Sequence, residues 1–498
     1  MLEVILAGYN VDVEVLEKLK KEGWDGKNNV TPETISAAYA RISRDPRAVT
    51  ELRTDAREEV DKARKSNENI VFKMGHHSVA EHAMLNFDIL GLSRLAVESL
   101  QEARLCGYTE KSQRYITLEG DYVVPEELNK ESVKLFKDAV AKQVDAYKKA
   151  FPILHEYQKK KNPSMLESKR DLNTIEGWAK EDARYMLALA TECQLGFSSN
   201  ARNLEHIIRK LKYSPLAEVR ALGKLLYDKA KDVVPSLIIL SDPEAFKKQF
   251  GWDVSDGLLA TGQEKLESAA SEFMKDTAQE KSADDINLIY HTEDPDTKVI
   301  ASLLASASGK PYNQCLKASE DMKKEGKQKD FVKKVLNGLS EHDSLYRGFE
   351  TVNFVFDIAL SSSAFAQMKR HRMMTIIKQP YDKVMGYTIP PSIKETGQEG
   401  LFKEIMELSE ETFVKFGKNS PEAAAYILAN AHKRRIIVNV NLREMYHIAR
   451  LRMDKHAQWD IQQVSGSMLK AVQKIAPLTA ALAGGKHNYK EIYKSFFG

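Results

Sequence analysis

A basic triplet is the most specific chemical signal in the second half of the chain. Arg370, His371 and Arg372 are consecutive, and Gln367 lies one helical turn earlier, after an apolar segment rich in Ser and Ala. Successive helical residues point about 100° apart, so the three groups cannot share one helix face. Such groups suit wrapping around a polyanion. A solvated basic patch is the alternative for an isolated triplet.

A second candidate lies in the first half. Glu110, Ser112 and Arg114 occupy alternating positions, which a period of two places on one side of an extended segment. Ser and Arg can hydrogen-bond a phosphate or a base edge, while Glu accepts from a sugar hydroxyl or orients a ring. The alternative is an exposed strand with alternating polar residues.

The three cysteines, Cys106, Cys193 and Cys315, are far apart and show no Cys-x-x-Cys or Cys/His spacing. We therefore expect neither a disulfide framework nor a metal site, and we interpret the thiols as buried, with a catalytic role for Cys106 as the alternative. No Gly-rich phosphate loop is present, so a nucleotide would have to be held in another way.

The elements that carry these residues occur twice. An early β-rich run and a later strand in the first half correspond to two such runs in the second half: residues 4–7, 86–89, 286–290 and 353–358. A helical stretch follows each later strand, and we expect the two stretches to end at Arg104 and Arg372. Extended exits at 122–125 and 387–390 come next.

The correspondence continues downstream with constant spacing. Asn200 follows Arg184 by sixteen residues, and Asn441 follows Ala425 by the same number. The set Asn200, Arg202 and His206 parallels the set Asn441, Arg443 and His447. A repeat of about 240 residues is therefore predicted.

The repeat predicts two domains, at 1–240 and 284–498, separated by a linker or helical insertion at 241–283. Each half is expected to contain a strand, two helices, a strand pair and long amphipathic helices such as 129–160 and 401–417. This order favours an α+β fold over a doubly wound sheet.

Composition sets broad limits. The 498 residues are 43% hydrophobic and 29% charged, with a net charge of +3, as in an ordinary soluble protein. No global basic field suggests nucleic acid as a partner. The N-terminus lacks signal-peptide features, and no apolar run approaches the roughly 18 residues that span a bilayer, so we expect a cytoplasmic protein without a membrane partner.

Together these residues resemble the flavin-dependent thymidylate synthase (ThyX) family, whose signature runs Arg-His-Arg-x-x-Ser-x-Asn-Glu-x-Ser-x-Arg-Tyr. The likeness covers nearly the whole chain, twice. The second half retains the triplet, and the first half retains the loop that ends in Arg114 and Tyr115. Gly107 and Thr109 replace the first Ser and the Asn of the signature. Residues 76–82 resemble the family's upstream His-x-Ser/Thr-x-x-Glu-His element, although a polar cluster in a tight turn is the alternative.

In that family the deoxynucleotide lies between two subunits, and here the two halves would take their places. One composite set is complete, with Gln367, Arg370 and Arg452 from the second half and Glu110, Ser112, Arg114 and Arg184 from the first. The reciprocal set has lost most of its donors and should not bind a nucleotide anion; it consists of Glu102, Leu211, Lys378, Pro380, Asp382 and Ala425.

The resemblance implies reductive methylation of dUMP at C5, with methylenetetrahydrofolate as carbon donor and NADPH reducing a bound FAD. Arg452 would be catalytic at the uracil edge, and the other residues of the complete set would bind substrate. The implied FAD contacts are Arg370, His371, Arg372, Ser78, Glu110, and Asn200, Arg202 and His206 or Asn441, Arg443 and His447. Modification of another pyrimidine nucleotide and non-catalytic flavin or nucleotide binding are the alternatives.

Because the family forms tetramers with sites at subunit interfaces, the resemblance further implies that the two halves form a pseudo-dimer. Two chains would then assemble into a homodimer that acts as a pseudo-tetramer.

Overall fold

The computed structural model describes residues 1–23, 29–42, 45–114, 118, 120–275, 277 and 285–498. Contacts divide the chain into two compact units: unit 1 comprises residues 1–144, 188–279 and 411–427, and unit 2 comprises residues 145–187, 280–410 and 428–498. The units therefore differ from the sequence halves. Segment 145–187 of the first half belongs to unit 2, and segment 411–427 of the second half belongs to unit 1.

Each unit contains a four-stranded antiparallel sheet. The strands in chain order are β1 (Glu3–Tyr9), β2 (Met84–Ser93), β3 (Gly107–Glu110), β4 (Glu192–Asn200), β5 (Ile286–His291), β6 (Asn353–Ser361), β7 (Thr375–Lys378) and β8 (Lys433–Asn441). The sheet of unit 1 has the order β1-β2-β4-β3, and that of unit 2 has the matching order β5-β6-β8-β7. The predicted strands are confirmed, and the antiparallel sheets support the α+β class over a doubly wound sheet.

Alternating side chains of the central strands explain how each sheet packs. Leu85, Phe87 and Ile89 of β2 are buried at alternate positions, as are Phe354 and Phe356 of β6. Apolar side chains at a period of two bury one face of a strand against helices. Each unit consequently has its own hydrophobic core beneath its sheet.

The α-helices complete the two units. In chain order they are α1 (Val13–Glu22), α2 (Glu33–Arg41), α3 (Val49–Glu58), α4 (Val60–Glu68), α5 (Arg94–Leu100), α6 (Lys130–Lys161), α7 (Lys169–Ala183), α8 (Ala201–Lys212), α9 (Ala217–Ala230), α10 (Pro243–Phe250), α11 (Leu258–Met274), α12 (Pro295–Ser308), α13 (Tyr312–Lys324), α14 (Gln328–Leu336), α15 (Ser362–Met368), α16 (Pro391–Glu395), α17 (Glu399–Asn419), α18 (Leu442–Arg452), α19 (Trp459–Ile475) and α20 (Tyr489–Phe497). Among the described residues, no helix combines the length and the apolar character needed to cross a membrane.

Helix starts repeat between the units in atomic detail. The Ser93 and Ser361 hydroxyls accept from Ala96 N and Ala364 N at the starts of α5 and α15, each at 3.0 Å. Asn200 caps α8 through its side-chain oxygen, as Asn441 caps α18. Side-chain acceptors at this position satisfy backbone N–H groups that a helix leaves unpaired. Equivalent residues of the two units can therefore be counted from these caps.

Two expectations about helix bounds have different outcomes. The long helices predicted at 129–160 and 401–417 are present as α6 and α17. The helices expected to end at Arg104 and Arg372 instead end at Leu100 and Met368. The basic triplet therefore follows a helix rather than completing one.

The predicted linker at 241–283 contains α10 and α11, which belong to unit 1. Phe246 of α10 is fully buried, whereas no residue of α11 is. A helical insertion describes this region better than an extended linker does. Residues 276 and 278–283 lie outside the described residues.

Candidate functional site

The basic triplet lies in unit 2, directly after α15. Arg370 and Arg372 are exposed, whereas His371 between them is only 3% exposed. This alternation arises because the chain turns at the end of α15, so that neighbouring side chains point to opposite sides. The two guanidinium groups are thus accessible to a ligand, and the imidazole is enclosed by protein.

Arg452 is the last residue of α18 and contacts the triplet. Its Nε donates to His371 Nε2 at 2.8 Å, and His371 Nδ1 lies 3.2 Å from Glu444 Oε1. Burial, with the Arg452 charge as the second cause, lowers the pKa of His371 to about 3. The imidazole is therefore neutral at physiological pH, and it links two residues of α18 that lie more than two turns apart.

A chain of hydrogen bonds fixes the side chain of Gln367. Gln367 Nε2 donates to Gln458 Oε1 at 2.8 Å, and Gln458 Nε2 donates to the hydroxyl of Tyr185. The Tyr185 hydroxyl in turn donates to Asp460 Oδ2 at 2.8 Å, and Ser361 donates to the same oxygen. Because the amide nitrogen of Gln367 is engaged, its carbonyl oxygen is the group that can accept a hydrogen bond from a ligand.

Arg184 belongs to the same unit although it comes from the first half of the chain. It follows α7 in a 3-10 turn and is 5% exposed, and its carbonyl accepts from Asn430 Nδ2 at 3.1 Å. Two residues earlier, Asp182 accepts from Ser392 and from the Trp459 indole at 2.7 Å. Burial raises the pKa of Asp182 to about 7 despite these two hydrogen bonds. Unit 2 thus contains Arg184 together with the second-half residues of the predicted substrate set.

A cavity of about 260 Å³ in unit 2 lies beside this cluster. It is lined by Asp343, Ser344, Leu345, Glu350, Met373, Asn441, Arg443, Glu444, Tyr446, His447 and Arg450. Arg443 donates to Leu345 O at 2.8 Å and to Glu350 at 2.6 Å, which holds its guanidinium at the wall. The lining therefore offers arginine and imidazole donors together with amide and carboxylate acceptors.

The Glu110, Ser112 and Arg114 loop belongs to unit 1 and differs from the expected extended segment. Strand β3 ends at Glu110, and the Ser112 hydroxyl accepts from the backbone N–H of Arg114 at 3.2 Å. A hydroxyl that bonds a backbone N–H two residues ahead bends the chain. The expectation that all three side chains lie on one side of a strand is therefore wrong. Tyr115 lies outside the described residues.

Glu110 itself is held inside unit 1. Its carboxylate accepts from Arg94 at 2.5 Å and from Gln101 at 3.3 Å, and its side chain is 2% exposed. Gly107 and Thr109 lie in the same strand and pair with β4. The structure thus assigns Glu110 a position at the end of a strand, where an arginine fixes it.

The other predicted first-half residues lie at the surface of unit 1. Ser78 and Glu81 are exposed in a short 3-10 helix, and Glu81 pairs with Arg202. His206 is exposed on α8, and Asn200 uses its side-chain oxygen as the α8 cap. The Asn441 set differs because its members line the cavity in unit 2.

Residues of the reciprocal set are engaged within the protein, in a core, in an ion pair or in a hydrogen bond to the backbone. Leu211 is 3% exposed in the core of unit 1, and Glu102 forms an ion pair with Lys210. Asp382 accepts from Val384 N at 3.0 Å. Counted from the helix caps, Leu211 takes the place of Arg452, and Ser99 takes the place of Gln367.

Sequence reasoning missed four residues of the site: Tyr185, Glu444, Gln458 and Asp460. Tyr185 adjoins Arg184, and Glu444 lies between Arg443 and His447, but only the fold reveals which side chains meet. It also missed that the ligand atoms of His371, Glu444 and His447 lie within 4.8 Å of one another, close enough for a metal ion. The cysteines are buried, as predicted.

The two sheets have the same strand order, and the helices that follow corresponding strands have equivalent caps. These features define a protein built from two copies of one α+β unit. The family model described as "Thymidylate synthase complementing protein" (Thy1) matches residues 27–236 and 287–478, which is once in each half. The chain belongs to this family, which is the ThyX family that the motifs resemble.

Relatives fall into two groups. A UPF0159 protein of Chlamydia muridarum is 25% identical over 430 residues, covering 84% of this chain and 80% of that protein. A UPF0159 protein of Thermoplasma acidophilum is 22% identical over 491 residues, covering 90% of this chain and 93% of that protein. A flavin-dependent thymidylate synthase of Clostridium tetani is 30% identical over 218 residues, covering 43% of this chain and 83% of that protein. The double-length form is thus shared with the UPF0159 proteins.

Proposed function

We propose that the chain is an FAD-dependent thymidylate synthase that converts dUMP to dTMP with methylenetetrahydrofolate and NADPH. The observation that carries the proposal is the grouping in unit 2 of Arg184, Gln367, Arg370 and Arg452, which come from both halves of the sequence. Family membership and the flavin-dependent relatives support the same reaction. The contribution of Glu110, Ser112 and Arg114 to nucleotide binding stays a prediction from the sequence.

The residues of unit 2 fit a flavin dinucleotide in their donor chemistry. Arg443, Arg450 and His447 line a cavity whose volume of about 260 Å³ suits one portion of such a cofactor, and exposed Arg370 and Arg372 follow α15. Arginine donors match a pyrophosphate, and amide and carboxylate acceptors match a ribose or ring edge. This favours the Asn441 set over the Asn200 set for FAD. A bound flavin would supply the hydride chemistry.

The protein's own residues then bind and polarise the nucleotide. Arg184 and Arg370 would neutralise the phosphate charge, and the carbonyl of Gln367 would accept from a ligand donor. Arg452 would stabilise negative charge at the uracil edge, which raises the nucleophilicity of C5. Its guanidinium suits this role because it is planar, always charged and able to donate at two points.

The half-reaction tests the proposal directly. Purified protein should be yellow, and its reduced flavin should be reoxidised under anaerobic conditions by dUMP plus methylenetetrahydrofolate, with formation of dTMP. Absorbance of the flavin and chromatography of the nucleotide are the measurements. Reoxidation with a different pyrimidine nucleotide would instead support the modification of that nucleotide, and a colourless protein that binds no flavin would contradict the proposal.

We also expect two chains to associate, because family members place sites at subunit interfaces. Light scattering at micromolar concentration should give a mass of two chains. A mass of one chain under these conditions would contradict the predicted pseudo-tetramer.

A further inference from the structure

Three side chains of unit 2 form a continuous line of hydrogen bonds. Arg452 Nε donates to His371 Nε2 at 2.8 Å, and His371 Nδ1 faces Glu444 Oε1 at 3.2 Å. His371 is 3% exposed and Glu444 is 7% exposed. The line therefore runs from the wall of the cavity, through the enclosed imidazole, to the guanidinium that is proposed to face the base.

The chemistry of the groups fixes the direction of each bond. A guanidinium can only donate, so Nε2 of His371 must be an acceptor and carries no proton. The proton of the neutral ring is then on Nδ1, which donates to the Glu444 carboxylate. Removing the carboxylate would free the ring to adopt the other tautomer, which presents a donor to Arg452 and repels it.

A metal ion at the same atoms is a poorer description. His371, Glu444 and His447 have suitable spacing, but the Nε2 lone pair of His371 is taken by Arg452 and Nδ1 carries a proton. A metal would have to displace that proton close to a permanent positive charge. The hydrogen-bonded line, by contrast, requires no change in the protonation of His371.

Position explains why Arg452 needs such support. It is the last residue of α18, where helices fray, and its long side chain has rotamer entropy to lose on fixation. A side chain already held at Nε pays less of this cost when a ligand binds. The terminal nitrogens of Arg452 are then presented in one direction.

We infer that Glu444 is a positioning residue that orients Arg452 through His371, and that His371 serves this link rather than contacting the flavin with its ring nitrogens. The inference rests on the proposed function for the role of Arg452. In unit 1 the equivalent positions, counted from the helix caps, are Asn203, Ala103 and Leu211, so all three members of the link are replaced together.

The first measurement does not depend on activity. Nitrogen-15 NMR of protein with labelled histidine, assigned with His371→Gln, should show His371 as the neutral Nδ1–H tautomer from pH 5 to 8. His371 faces Arg452, Glu444 and His447, and burial beside Arg452 lowers its pKa to about 3. An Nε2–H tautomer or titration in this range would overturn the inference. So would stoichiometric Zn²⁺ binding by the native protein that Glu444→Gln abolishes.

The second measurement separates positioning from folding. Glu444→Leu should weaken dUMP binding in calorimetry by about tenfold when compared at equal flavin occupancy, and Glu444→Gln, which keeps an acceptor, should restore most of the affinity. Asn203→Ala, the matched change in unit 1, should leave the affinity unaltered. Unchanged dUMP affinity in Glu444→Leu, or equal loss of affinity in the Leu and Gln variants, would overturn the inference. Absence of dUMP binding by the native protein would instead contradict the proposed function, while the NMR result would stand.

Discussion

Arg452→Ala should lower turnover by about 10²–10³-fold with flavin still bound. Loss of one preorganised donor at a site of developing negative charge typically has this effect on turnover. Arg452 is held by His371 at 2.8 Å, so its contribution is available without reorganisation. Steady-state rates of dTMP formation, normalised to flavin content, are the measurement.

Leu211 provides the matched control in unit 1. It occupies the position of Arg452 on α8 and is 3% exposed in the core, so Leu211→Ala should reduce the free energy of unfolding by about 2–5 kcal/mol. The rate per folded molecule should nevertheless stay close to the native value. Leu211→Met, which nearly conserves volume, should leave both quantities little changed. Equal losses of turnover in the Arg452 and Leu211 variants would refute a single active site in unit 2.

Tyr185→Phe should weaken dUMP binding by about tenfold. The lost hydroxyl accepts from Gln458 and donates to Asp460, so a buried amide and a buried carboxyl each lose a partner. Such a loss costs about 1–3 kcal/mol. The Gln458 amide can then rotate, and Gln367 loses the fixed acceptor that orients its own amide. Calorimetric titration with dUMP measures the effect.

Tyr426→Phe is the equivalent change in unit 1, because Tyr426 donates to Glu218 Oε2 at 2.8 Å and Ser93 donates to the same carboxylate. The position before α9 is Leu216, whereas Gln458 precedes α19. In unit 1 the hydrogen-bond network therefore ends at Glu218. In unit 2 it continues through Gln458 to Gln367. Thermal unfolding should show comparable destabilisation in both variants, but only Tyr185→Phe should alter affinity. Matching losses of affinity would show that the tyrosines act through stability alone.

Much of the fold could be predicted because its signals are local. The strand at Asn86–Ile89 is visible from alternation and β propensity, and the long helices from their apolar period. Bounds such as the end of α15 at Met368 could not be predicted, since all of its residues are buried and long-range packing, rather than a local pattern, surrounds the helix. The bend at Ser112 similarly depends on a side-chain hydrogen bond that competes with an extended backbone.

For the site, residue types and spacing indicated Gln367, the triplet and Arg452, since functional groups at fixed intervals are readable without coordinates. The partners that orient them were not readable. Glu444 resembles any helical carboxylate, and Tyr185 any buried tyrosine, until the fold brings each to its neighbour. These contacts join residues far apart in the chain, which no local pattern encodes.

By itself, then, the sequence determined the duplication, the α+β class of both units and the uneven retention of chemical groups between the halves. Local patterns or residue identities are enough to indicate each of these properties. Only the tertiary structure decided that segment 145–187 belongs to unit 2, which places Arg184 and Tyr185 with residues of the second half. It also decided that His371 is enclosed and neutral. Both outcomes follow from long-range packing, which removes side chains from water and selects their hydrogen-bond partners.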